Sequence, residues 1–375
     1  MRIPLNEPYL ISKSLNYLKE CLKINWISTG GPLVDKFEKK LCKLTGSKNA
    51  IACNSGTAAL HISIKLLNPR PGDEIIVPTL TFVATINSVI YNSCKPIFMD
   101  SDNFYNIDIK KTIEFLQRNT FKKGSYTFNK KTKKKIIAII VTHVWGNAVN
   151  LKKLITVCKN KNIQIIEDAS ESIGTRYKKS NKHTGTLGLI GVISFNANKL
   201  ITTGGGGVII TDNNKLAERA RYLTTQAKEK SIYFVHNEIG YNYRMTNISA
   251  AIGLSQIDNF NYLLNKKKEI RKLYEKQIKN SNTFKLNPAP DYANNNYWMN
   301  VVQFKKKNNK GLNKVFFKFK KKNIEVRPVW KLNHTQRKFK KYERFKLSNS
   351  LKLVSNSICI PSSASMKSKE IKLVS

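Results

Sequence analysis

Short apolar runs rich in β-branched residues recur along the first two thirds of the chain. Seven of them, Asn49–Cys53, Glu74–Pro78, Pro96–Asp100, Ile136–Thr142, Ile163–Asp168, Leu189–Phe195 and Gly207–Thr211, read as strands. Ala58–Leu67 and Leu151–Lys161, lying between them, carry the spacing of helices. Nearly continuous apolar strands that alternate with helices are what a largely parallel sheet covered on both faces requires. The predicted class is α/β, with a large, mostly parallel, seven-stranded sheet.

From Thr246 to Ile278 the pattern changes. No proline interrupts it, and Ile248, Ala251, Ile252, Leu254 and Ile257, then Leu263, Leu264, Ile270 and Leu273, recur at helical spacing, which predicts long helices leaving the sheet. Asn287-Pro288-Ala289-Pro290 breaks the run. Beyond it, Trp298–Phe304, Ile324–Pro328 and Ile358–Pro361 suggest strands of a small α+β domain, with one more helix expected after Pro361-Ser362-Ser363. The expected division is a large domain over 1–245, including the N-terminal segment, and linking helices with a small domain over 246–375. Phe121–Lys135, rich in lysine and asparagine, reads as an exposed insertion.

A length of 375 residues with 41% hydrophobic content fits one large core plus a smaller one. The longest apolar run, Ile136–Val141, is far short of the ~20 residues of a membrane span. The first eight residues show no apolar core or small-residue cleavage site, so the cytoplasm is the expected compartment. Six cysteines lie far apart without metal-ligand spacing, so no metal site is expected. Net charge is +42, densest in Lys130–Lys135, Lys305–Lys310 and Lys318–Lys322. These runs are lysine and asparagine almost without aromatics, which points to a composition bias rather than a dedicated nucleic-acid surface. An anionic substrate such as a sugar nucleotide would still be attracted.

Three places carry candidate chemistry. Asn54-Ser55-Gly56-Thr57-Ala58 sets a polar turn between a strand end and a helix start, where free backbone N–H groups and a hydroxyl suit a phosphate. A plain helix cap by Ser55 or Thr57 explains it equally. Glu167-Asp168-Ala169-Ser170-Glu171 closes an apolar strand at the edge where open α/β sheets bind ligands. A buried carboxylate there can keep a pyridine nitrogen protonated, or simply cap the next helix. Ser194-Phe195-Asn196-Ala197-Asn198-Lys199, followed by Gly204–Gly207, could present an amine to an aldehyde. In a chain this basic a single lysine is far more often solvated surface. Order and company distinguish Lys199: cradle, aspartate, then lysine, with Phe82 at the end of another strand offering a ring to stack.

With Gly30-Gly31-Pro32, Gly72-Asp73-Glu74, His143 with Gly146, Gly240-Tyr241-Asn242-Tyr243-Arg244-Met245, Arg327 with His334, and Pro361-Ser362-Ser363, the set resembles the sugar aminotransferases of the DegT/DnrJ/StrS family over nearly the whole chain. The resemblance implies the fold of fold-type I pyridoxal 5'-phosphate (PLP) enzymes. It implies that Gly56, Thr57 and Ser194 hold the cofactor phosphate, Phe82 stacks on the ring, Asp168 pairs with the pyridinium nitrogen, and Lys199 forms the Schiff base and acts as general acid and base. Asn242 resembles the residue that reaches the phosphate of a neighbouring subunit, which implies a homodimer with shared sites. Lysine rather than histidine at 199 argues for amino transfer over dehydration.

Two positions depart from many relatives: Glu171 stands where they have glutamine, near the expected phenolic oxygen, and Asn196 where they have histidine. A glutamate there favours one shared proton with the phenolate. Trp26–Pro32, Ser194–Lys199 and Thr202–Gly207 look most similar to the branch that serves legionaminic-acid and related pathways. The implied reaction moves the amino group of L-glutamate to C4 of UDP-4-keto-6-deoxy-N-acetylglucosamine, for a surface glycan. GDP-perosamine synthesis from GDP-4-keto-6-deoxymannose is the nearest rival. A non-catalytic PLP-binding protein or a nucleic-acid-binding protein is the alternative from another class. Arg327 and His334 are candidate substrate contacts, and His143, Trp145 and His183 could line the same pocket or serve packing and surface roles.

Overall fold

The fold is described from a computed structural model that covers residues 2–305 and 312–375. Residues 306–311, which hold most of the Lys305–Lys310 run, lie outside the described part. Seven strands of the main sheet are those expected: β1 (Asn49–Cys53), β2 (Glu74–Pro78), β3 (Lys95–Met99), β4 (Ile136–Thr142), β5 (Gln164–Asp168), β6 (Ile190–Ser194) and β7 (Gly207–Thr211). A second sheet contains β8 (Phe284–Leu286), β9 (Asn300–Phe304), β10 (Arg327–Pro328) and β12 (Ser357–Ile360). The two-residue strand β11 (Arg344–Phe345) pairs with β3 and makes the main sheet eight-stranded, in the order β1-β7-β6-β5-β4-β2-β3-β11. Two residues leave no periodic signal, so pattern alone missed it.

Only β7 runs against its neighbours. Every residue of β2, β4, β6 and β7 is buried, which is why these strands read as unbroken apolar runs. The C-terminal ends of β1, β2, β4, β5 and β6 therefore meet at one edge with the start of β7. Helix α3 (Gly56–Lys65), buried nearly all round, packs on β6 and β7.

Phe121–Lys135 is not a bare exposed insertion. It contains most of a β-hairpin, Thr120–Lys123 with Tyr126–Asn129, whose alternate residues Thr127 and Asn129 turn inward. Asn129 Nδ2 donates to Glu74 at 2.9 Å and to Glu343 at 2.6 Å, so the hairpin is fastened to the sheet edge by polar contacts that a hydrophobic pattern does not register.

The first helical stretch, α8 (Asn247–Asp258), lies against α1 (Ser14–Lys23) and α2 (Pro32–Thr45) beside the main sheet. The next, α9 (Phe260–Ile278), delivers Ile270, Tyr274 and Ile278 into the core of the second sheet, where Val302, Ile358 and Ile371 meet them. Ile3 belongs to this core as well, so the N-terminal segment crosses over to it. Ile371 comes from the expected terminal helix, Ser368–Val374. Among the described residues no helix is long and apolar enough to cross a membrane.

Neighbouring residues on a strand face opposite sides of the sheet, and at the end of β5 both are acids. Glu167 is fully buried and accepts N–H groups from Gly185 (2.9 Å), Leu187 (2.6 Å) and Gly188 (2.5 Å). His143 Nδ1 accepts the Val149 N–H at 3.0 Å, so its proton sits on Nε2, which donates to Glu167 at 2.9 Å. Burial pushes the Glu167 carboxyl up, but His143 and the loop amides outweigh it and hold the group below the usual carboxylate range. A carboxyl held below its unfolded value stabilises the fold at neutral pH, and that contribution is lost as pH falls through the ordinary carboxylate range toward the folded value. Glu167→Ala leaves four buried donors without an acceptor and is expected to cost at least about 3 kcal/mol. Urea unfolding of the two proteins checks this, and the gap should narrow as pH is lowered.

Candidate active site

The strand ends enclose a cavity of about 410 Å³, lined by the turn after β1, the end of β5, the loop after β6 and two tryptophans from the C-terminal part. At one side, Ser55 Oγ accepts the Ala58 N–H at 3.0 Å and caps α3. Capping and cradling are thus divided: Ser55 takes the helix donor, while Gly56 and Thr57 face the cavity with first-turn N–H groups that have no intrahelical acceptor. A Cβ on Gly56 would lie 2.8 Å from Ser194 Cβ, and one on Gly207 would lie 2.5 Å from the Ser55 carbonyl oxygen. Only glycine lets the three segments close this tightly, and the result is a small cradle of amides and hydroxyls at a positive helix end.

On the opposite face of the sheet from Glu167, Asp168 is buried and lines the cavity. Thr85 Oγ1 donates to its Oδ2 at 2.7 Å and the Ser170 N–H to its Oδ1 at 3.2 Å. Thr81 connects Thr85 to Thr142 through contacts of 3.1 Å each, so the one hydroxyl on the carboxylate is itself held by the loop after β2 and the end of β4.

Lys199 leaves the loop after β6 with its N–H on the Asn196 carbonyl at 2.9 Å. Its Nζ lies 3.3 Å from Glu171 Oε1 and 4.1 Å from the centre of the Trp298 ring. The other Glu171 oxygen accepts the Trp145 N–H at 2.8 Å. Burial pushes the Glu171 carboxyl above the usual range, against the pull of Lys199 and the Trp145 amide, and Asp168 adds to the upward push. Glu171 and Lys199 thus stand within hydrogen-bond distance of each other at the cavity floor.

Phe82 is about half exposed at the cavity mouth, with its ring 6.3 Å from that of Trp330. The aromatic line continues inward to Trp145 at 5.6 Å and Tyr105 at 4.8 Å. Trp145 is core packing rather than pocket lining, and it holds a left-handed backbone (φ 53°) whose amide Glu171 secures.

The structure thus brings Gly56, Thr57, Phe82, Asp168, Glu171, Ser194 and Lys199 around one cavity. Asn242 is not among its lining residues: it is exposed, and its carbonyl accepts from Asn54 Nδ2 at 3.3 Å. Arg327 lies elsewhere, with an exposed guanidinium on Glu325 at 2.7 Å, in a separate cleft beside Arg2 and Lys320. His334 is buried behind the end of β2 with Nδ1 2.6 Å from Thr79 Oγ1. There it and Asn333, which donates to the Thr81 carbonyl at 2.8 Å, anchor the segment that carries Trp330. His143 is the buried partner of Glu167. His183 is neither pocket nor surface: it is fully buried, accepts the Gly174 N–H at 2.6 Å, and burial pushes it down to about 4.

Sequence reasoning missed Trp298, Trp330 and the hydroxyl donor Thr85. Thr85 had a local signal, one helical turn after Phe82. The tryptophans had none, because they enter from segments more than 90 residues beyond Lys199.

The sequence model of the DegT/DnrJ/EryC1/StrS aminotransferase family matches residues 8–375. Among curated relatives, EpsN of Bacillus subtilis (strain 168) is 32% identical over 98% of this chain and 93% of its own length. GDP-perosamine synthase of Escherichia coli O157:H7 is 32% identical over 98% of this chain and 95% of its own. Among solved structures, Helicobacter pylori PseC, an aminotransferase involved in the biosynthesis of pseudoaminic acid, superposes with a TM-score of 0.89 at 24% identity, covering 100% of this chain and 97% of that one.

Gly56→Ala tests the cradle independently of any ligand. The added methyl must push α3 away from β6, and a loss of about 1–3 kcal/mol is expected by thermal or urea unfolding.

Proposed function

The chain belongs to the DegT/DnrJ/EryC1/StrS aminotransferase family, and from that premise we propose that it moves the amino group of L-glutamate to C4 of a nucleotide-linked 4-keto-6-deoxy sugar. The coarser activity, PLP-dependent sugar amino transfer, follows from family membership. UDP-4-keto-6-deoxy-N-acetylglucosamine is the proposed acceptor, surface-glycan synthesis in the cytoplasm the proposed setting, and a homodimer the proposed assembly.

The residues present fit the cofactor. The cradle formed where Gly56 lets α3 close on Ser194 suits its phosphate, buried Asp168 suits a pyridinium nitrogen, and the Lys199 amine lines the same cavity. Gly56, Thr57 and Ser194 would hold the phosphate and Phe82 the ring face. When bound, PLP supplies an aldehyde for a covalent link and a ring that accepts the electron pair left on a substrate carbon.

The observation that carries this reading is the convergence of Lys199, Glu171 and Asp168 on one cavity. Lys199 Nζ would hold the cofactor through the aldehyde that the cofactor supplies. The same Nζ would move a proton to and from the substrate carbon that bears the transferred nitrogen. Glu171, 3.3 Å away and with its carboxyl pushed up by burial, holds the proton that Lys199 gives or takes. Asp168, fixed by Thr85 and the Ser170 amide, would pair with the ring nitrogen of the cofactor. The basic chain draws in the nucleotide diphosphate.

Asn242 is exposed beside a loop that presents Ile232, Phe234 and Ile239 to solvent. A second subunit covering that loop would set Asn242 against the partner's cradle. A second reading of the substrate, GDP-4-keto-6-deoxymannose, is favoured by the similarity to GDP-perosamine synthase.

Lys199→Ala is expected to fold normally, lose the absorbance band of the lysine-bound cofactor, and lose at least about 10³-fold in turnover; normal turnover would sink the assignment. In the wild type, L-glutamate should bleach the band and UDP-4-keto-6-deoxy-N-acetylglucosamine should restore it, whereas restoration by the GDP sugar alone selects the second reading. Mixing Asn242→Ala with Lys199→Ala subunits should recover activity if sites are shared; no recovery after confirmed exchange places each site within one chain.

A further inference from the structure

We propose that Lys267 is a positioning residue for Lys199: from α9 it fixes Asn6 and Trp298, and these two together hold the Asn198 carbonyl of the peptide that leads into Lys199. Lys267 is almost fully buried. Its Nζ donates to Asn6 Oδ1 at 2.9 Å, to the Trp298 carbonyl at 3.1 Å and to the Ser362 carbonyl. Three donors meet three oxygens, the full capacity of an ammonium.

Two of those three contacts lead to the same atom. Asn6 Nδ2 donates to the Asn198 carbonyl at 2.6 Å, and Trp298 Nε1 donates to it at 2.7 Å. Both lone pairs of the carbonyl preceding Lys199 are thereby fixed by groups that Lys267 fixes in turn. The Trp298 ring, oriented by these bonds, is the surface 4.1 Å under Lys199 Nζ. The chain of contacts thus sets both the root and the tip of the Lys199 side chain.

The cost of this arrangement argues for a role beyond packing. No carboxylate forms an ion pair with Lys267 among the described residues, and burial pushes its ammonium down to about 7. An apolar side chain would fill the same volume without desolvating a charge. What it could not do is hold Asn6, Trp298 and Ser362, which come from the N-terminal segment, the approach to β9 and the stretch after β12, at one point.

The inference rests on Lys199 being the cofactor lysine, so its test has one arm that needs the cofactor and one that does not. Lys267→Met keeps the volume and removes the donors. Trp298→Phe keeps a ring beneath Nζ and removes only the donor to Asn198. In each holoenzyme the pH midpoint of the lysine-bound cofactor band should move by about half a unit or more. The double variant should move no further than the larger single one, because both act through one carbonyl. In the cofactor-free full chain, amide hydrogen exchange over residues 196–203 should rise about tenfold or more in Lys267→Met, while exchange in β4 and β5 stays unchanged. If Lys267→Met fails to fold, Asn6→Ala carries the same two expectations. An unmoved midpoint with unmoved exchange over 196–203 overturns the inference, as does full additivity in the double variant. Loss of the band in the wild type itself would instead overturn the assignment of Lys199, with the exchange arm still deciding the positioning claim.

Discussion

Two adjacent acids at the end of β5 set the frame for everything else in this protein. Strand geometry sends Glu167 to one face of the sheet and Asp168 to the other. Glu167 is committed to structure: four donors, three of them loop amides, converge on it, and removing it would strand them all without water. Asp168, on the other face, is held toward the cavity by one hydroxyl and one amide. The carboxylate that faces the cavity stands next to one committed to structure.

The amine side of the cavity is built differently. Lys199 sits on a loop rather than a strand, and loops need fastening from outside. Here the fastening comes from distant parts of the chain: Asn6, Trp298 and Lys267 meet at or behind one carbonyl, and Glu171 ties Nζ to the strained turn at Trp145. The second sheet and the N-terminal segment therefore do more than bury their own core. They hold the end of the site that the main sheet does not reach.

Charge is arranged on two scales. The chain is strongly basic overall, which favours approach of any phosphate-bearing molecule. Within the cavity two buried acids stand beside one lysine, and burial together with the neighbouring Asp168 pushes the Glu171 carboxyl up. The first property is a matter of composition; the second exists only where the fold excludes water.

The sequence by itself determined the layers and most of the cavity floor. Seven strands could be read because buried strands are unbroken apolar runs, and Gly56, Asp168 and Lys199 could be read because each stands at or just beyond a strand end, where chemistry follows local order. The edge strand Arg344–Phe345, the inward-turned side of the hairpin around Asn129, and the burial of His183 and His334 were decided only in three dimensions. So were Trp298 and Trp330, and the displacement of Arg327 to another cleft. The reason is physical: local pattern records which face of an element is apolar, whereas a polar contact between residues hundreds of positions apart, such as Asn6 with Asn198 or Thr79 with His334, depends on a packing that no local period encodes.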